Sequence, residues 1–136
     1  MQVITALLVD EVKKHPDGRV DLLGLFEDIY LDELPVRLDA LSLFVDLALA
    51  DADRGRTHTL EFRLVDAAGA ARQEGSKVRF TIPPLAEFGR DSAQLDLVLF
   101  EQTFHAFGTH YVEVRLGDAV LRRVPLYVNP REVDGR

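Results

Sequence analysis

The run Thr59–Leu64, TLEFRL, changes character at every step: Leu60, Phe62 and Leu64 interleave with Thr59, Glu61 and Arg63. A period of two marks extended backbone, because successive side chains of a strand project to opposite faces. One face is apolar and meets a core; the other is polar and meets water. Two further segments repeat the pattern. Val78, Phe80 and Ile82 alternate with Lys77, Arg79 and Thr81, and Val112, Val114 and Leu116 alternate with Tyr111, Glu113 and Arg115. The apolar members of these three runs are the expected core, and the alternation turns Tyr111 outward.

Outward from these strands, turn-forming clusters recur at short intervals. They are HPDGR (His15–Arg19), DELP (Asp32–Pro35), DADRGR (Asp51–Arg56), AAGA (Ala67–Ala70), PPLAEFGRDS (Pro83–Ser92) and Gly117-Asp118. Apolar runs of about ten residues between turns predict an all-β antiparallel β-sandwich, immunoglobulin-like or a related Greek key, of about seven to nine strands. The opening run is apolar on both faces, with Val3, Leu7 and Val9 against Ile4, Ala6 and Leu8. That predicts a central strand covered on both sides. Near the end, Leu121 belongs to one face and Val124, Leu126 and Val128 to the other, which a β-bulge at Arg122-Arg123 reconciles. Pro125 has no N–H to donate, so its strand lies at an edge or presents that position outward. Segments 22–30, 40–50 and 94–101 also fit helical spacing, but Gly24 and the flanking turns favour strands. A single domain over 1–129 with a flexible tail over 130–136 is expected.

The chain has 136 residues, 47% hydrophobic and 29% charged, and no cysteine, which removes disulfides and thiolate chemistry. A net charge of -7 argues against nucleic acid or an anionic membrane surface as partner. No apolar run approaches the roughly 18 residues of a membrane helix. Val3–Val9 has no Lys or Arg ahead of it and is followed by Asp10, Glu11, Lys13 and Lys14, unlike a secretory signal. A cytoplasmic protein is expected.

MQVITALLVDEV, DGRVDLLGLFEDIY, GRTHTLEFRLVDAAG and FGTHYVEVRLGDAVLRRVPLYV together resemble an uncharacterised bacterial family, a domain of unknown function found as short, single-domain, non-secreted chains. The resemblance runs from the first strand to about Val128. It implies an antiparallel β-sandwich and brings no catalytic residues with it.

The residues themselves offer no enzyme signature. Ser42, Ser76 and Ser92 lie outside any Gly-x-Ser-x-Gly elbow. His15, His58, His105 and His110 lack metal-ligand spacing and read as solvated or strand-end residues. No phosphate-cradling glycine pattern is present. A non-enzymatic domain without a cofactor is expected, binding a protein partner or itself. If strands alternate up and down, Asp17, Asp51, Asp53, Asp91 and Asp118 share one end and could offer calcium its oxygen ligands, though Asp is also simply favoured in turns. The opposite end gathers Tyr30, Leu34, Phe104 and Phe107 as interface candidates. The two phenylalanines there either face a partner or plug the end of the core. Segment 40–50, lacking the guards of an edge strand, offers a route to a homodimer should it lie at an edge. A sugar site finds little support, with no Trp to form a platform.

Overall fold

The structure, a computed structural model, describes residues 1–84 and 92–131. Its strands are β1 (Gln2–Val9), β2 (Glu11–Lys14), β3 (Val20–Leu23), β4 (Asp28–Leu31), β5 (Val36–Ala48), β6 (Thr57–Asp66), β7 (Ser76–Thr81), β8 (Ser92–Phe104), β9 (Gly108–Leu116) and β10 (Ala119–Pro130). One 3₁₀ turn, Asp51–Asp53, joins β5 to β6. The protein is all-β among the described residues, and no helix there is long and apolar enough to cross a membrane. Ten strands exceed the seven to nine expected, because segment 22–30 holds parts of two short ones.

Three sheets result. One has the order β1-β5-β8, a second β4-β10-β9-β6-β7, and the β2-β3 hairpin forms the third. Pairing is antiparallel except between β4 and β10, which run parallel. The alternating residues of β6, β7 and β9 line one side of the five-stranded sheet. Leu60, Phe62, Leu64, Ile82, Val112 and Val114 are buried, while Val78, Phe80 and Leu116 are half-buried against the core. Facing residues of the other large sheet join the same cluster, including the cross-strand row Leu8, Leu43 and Leu97. Each such aliphatic side chain contributes about 1.5–3 kcal/mol through burial.

The inward phase of β5 and β8 slips. Leu41, Leu43, Val45 and Leu47 are buried on odd positions, but Leu38 and Val36 turn inward on even ones. In β8 the buried set passes from Leu97 and Leu99 to Gln102 and Phe104. Glu101, at φ 56, takes up the change, and the register stays constant from Val36↔Phe104 through Leu41↔Leu99 because both strands slip together.

Four expectations need correction. β1 is an edge strand, with Ile4 54% exposed. Its apolar second face misled because part of its free edge is covered: Phe26 N–H donates to the Leu8 carbonyl and Arg122 to that of Val3. Residues 40–48 of segment 40–50 lie in β5, the middle strand between β1 and β8, so no dimer can pair through that strand. The irregularity of β10 falls between Val120 and Arg122, at Leu121, one residue before the expected bulge. Pro130 ends β10 and Arg131 N–H donates to Leu31, so the ordered chain runs into the expected tail.

Pro125 sits inside the five-stranded sheet at an outward position, opposite Tyr111. The N–H of Tyr127, two residues on, donates toward Glu27 just ahead of β4. The missing donor of Pro125 shares that direction but lies beyond the end of β4, so no ladder bond is lost. β8 carries a similar device. The Gln73 side chain accepts from Thr103 N–H at 2.6 Å and donates to its carbonyl at 2.8 Å, filling one position of the strand's open edge.

Candidate functional site

The outward face of the five-stranded sheet carries an organised group of side chains. Cross-strand pairing puts Arg63 and Arg123 on either side of Glu113, with Arg115 two residues along β9. Glu113 Oε1 accepts from Arg63 Nε at 3.2 Å, and Oε2 accepts from Arg123 Nε at 2.9 Å. Arg115 Nη1 stands 3.6 Å from Oε1. The Glu113 side chain is 2% exposed although it points away from the core, because the arginines cover it. Burial pushes its carboxyl up, but the hydrogen bonds and charges of Arg63 and Arg123 prevail and hold it below the ordinary value.

Beyond this cluster the same face is aromatic. Tyr111 lies opposite both Val65 and Pro125, Tyr127 opposite Thr109 and Asp28, and Tyr30 opposite Asn129. All three tyrosines of the chain therefore share one surface, Tyr30 being 55% exposed and Tyr127 38%. Arg63, Lys77, Arg79, Arg115 and Arg123 on this face outnumber Asp28, Glu61 and Glu113, so it is net positive on a chain of net charge -7.

Residues 4–129 match the Family of unknown function (DUF6941). The chain belongs to this family. No curated protein and no solved structure matches it. Membership accords with the uncharacterised family expected from the strand and turn motifs, and it assigns no chemistry to any residue.

Among the interface candidates, Tyr30 and Phe107 are exposed, Leu34 is half-buried against the core, and Phe104 is 1% exposed. Phe104 is core. Its ring meets His110 edge-on with centroids 5.4 Å apart. His110, expected as a solvated or strand-end residue, lies third in β9 and is buried, with Nδ1 3.0 Å from the Gly108 carbonyl. His105 and His110 line a small cavity of about 140 Å³ together with Asp66, Arg72, Gln73 and Thr103. The Asp66 carboxylate accepts from the N–H groups of Ala70 and Ala68; the first of these, with Arg72 and His110 nearby, outweighs burial and lowers its pKa.

The acidic turns do not converge. Among the described residues no three His, Cys, Asp or Glu side chains stand where they could hold a metal ion. Asp17 accepts from Arg19 Nε at 2.7 Å, and Asp53 accepts from Ala50 N–H at 2.7 Å and faces the Met1 ammonium at 3.2 Å. The side chain of Asp51 is fully exposed, 3.9 Å from Arg54 Nε. The backbone carbonyl of Asp118 accepts from Arg115 Nη2 at 3.5 Å. Asp91 lies outside the described residues.

The charged cluster was not anticipated. Alternation alone turns Arg63, Glu113 and Arg115 outward, but bringing Arg63 and Arg123 together on Glu113 requires the registers of three strands.

Proposed function

We propose that this protein is a non-enzymatic binding domain, a β-sandwich of immunoglobulin-like or related Greek-key type, whose outer five-stranded face docks an acidic protein partner. The carrying observation is the tyrosine and arginine surface. Tyr and Arg dominate binding energy at protein interfaces, because each supplies large contact area with a polar end. Here Tyr30 and Tyr127 stand exposed on the same face as the positive cluster, Tyr127 four residues along β10 from Arg123 and Tyr30 opposite Asn129. Complementary charge also favours an acidic partner over a second copy docking by the same face, since two net-positive surfaces would repel.

The test is capture from native lysate by the tagged chain. Expected is a protein with an acidic surface that is released by salt of about 0.5 M, where screening is strong. It is lost with Tyr30→Ser/Tyr127→Ser and retained with Ile4→Ser on β1. Capture unaffected by the tyrosine variant would overturn this docking surface.

A further inference from the structure

We propose that Arg63, Arg115 and Arg123, gathered on Glu113, form a receptor for an oxyanion, a carboxylate or phosphoryl group presented by an acidic protein segment. The inference deepens the docking reading above and rests on it for the macromolecule, but not for the anion. Three guanidinium groups surround a single carboxylate, two more positive charges than its neutralisation needs. The neighbouring carboxylate in the sheet, Glu61, stands two residues from Arg63 on the same face and opposite Arg115 and Lys77. With Glu61 and Lys77 counted, Arg63, Lys77, Arg115 and Arg123 still exceed Glu61 and Glu113 by two charges. Asp66, further along β6, is engaged by Ala68, Ala70 and Arg72.

The manner of attachment matters as much as the charge. Arg63 and Arg123 both reach Glu113 through Nε. Their Nη groups have no hydrogen-bond partner among the described residues. A guanidinium is planar and binds carboxylate or phosphate as a fork, so a group already fixed through Nε retains donors for a second anion. The buried Glu113 thus positions the arginines. Solvent reaches them, with the Arg63 side chain 28% exposed and that of Arg123 54%. The Arg123 Nη2 lies beside the turn at Gly69, where a Cβ would stand 3.9 Å away in ordinary contact.

Two-dimensional NMR of the arginine Nε–H groups tests this, with inorganic phosphate and acetate titrated separately against chloride at constant ionic strength. Expected are saturable shifts for Arg63, Arg115 and Arg123, weakened about tenfold in Arg123→Lys, which keeps charge but loses the fork. Arg37→Gln, on β5 of the other large sheet, leaves them unchanged. Saturation by phosphate alone assigns a phosphoryl source, and saturation by both admits a carboxylate. Absence of saturation with either anion, or equal titration of Arg123→Lys with its amide spectrum intact, overturns the receptor. Tyr30→Ser/Tyr127→Ser separates the two readings. If it leaves partner capture intact while phosphate still saturates the arginines, the docking surface fails alone. If it abolishes capture but wild type never saturates, the receptor fails alone.

Discussion

Replacing Glu113 by Gln preserves the size of the side chain and removes its charge. The wild-type carboxylate accepts hydrogen bonds from two guanidinium groups, at 3.2 and 2.9 Å, from a site 2% exposed. Each charge-assisted bond contributes about 1.5–3 kcal/mol. A carboxamide oxygen can still accept one of them, but its NH₂ then confronts the other cation. Breaking a fully buried pair costs about 3–5 kcal/mol. Here the arginines are partly solvated, which screens the repulsion left behind, so the expected loss is about 2–3 kcal/mol near neutral pH. The folded-state pKa of Glu113 is depressed: burial raises it, and the hydrogen bonds and charges of Arg63 and Arg123 lower it by more. Its stabilisation is therefore complete above the unfolded value of about 4.3 and disappears as pH falls through the folded value. Urea denaturation of both proteins from about pH 7 to about pH 3 measures the difference directly. The gap between wild type and Glu113→Gln is expected to close on acidification. A gap below about 0.5 kcal/mol at neutral pH, or one that widens below about pH 4, refutes the cluster's role.

Phe104→Ser is expected to cost about 3–5 kcal/mol, as for other large core truncations, whereas Phe107→Ser stays within about 0.5 kcal/mol; thermal melts of the pair distinguish plug from surface. Gly75→Ala is expected to destabilise by about 1–3 kcal/mol, because a Cβ there would stand 2.5 Å from the Phe62 carbonyl oxygen and 2.8 Å from Arg63 Cβ; a melting temperature equal to wild type would contradict that packing. Millimolar calcium is expected to leave the melting temperature unchanged, since Asp17 and Asp53 are committed to Arg19 and to Ala50 and Met1; a saturable rise would show that the acidic turns reorganise around metal.

The period-two runs of β6, β7 and β9 were legible because their apolar side chains meet the core while their polar ones remain on the far face. β5 and β8 read ambiguously for a physical reason. Phe44 is buried on the face opposite Leu43, Val45 and Leu47, and Val98 is half-buried opposite Leu97 and Leu99, so apolar residues fall three and four apart, as on a helix. The status of β1 was hidden because chemistry at a strand's edge is backbone chemistry: Phe26 and Arg122 satisfy its carbonyls without leaving a mark on its side-chain pattern. Phe104 stood beside an apolar connection that resembled an exposed patch, and only the slip at Glu101 reveals that it turns inward. Glu113 was placed outward by alternation, which is right for direction and wrong for solvation, since neighbouring strands deliver the arginines that cover it.

The placement of the tyrosines gives the molecule a built-in optical reporter. With no tryptophan, its near-ultraviolet emission comes from Tyr30, Tyr111 and Tyr127, all on the same side of one sheet. Quenching or enhancement of that light on mixing with another molecule would register events on that side, without any dye being attached.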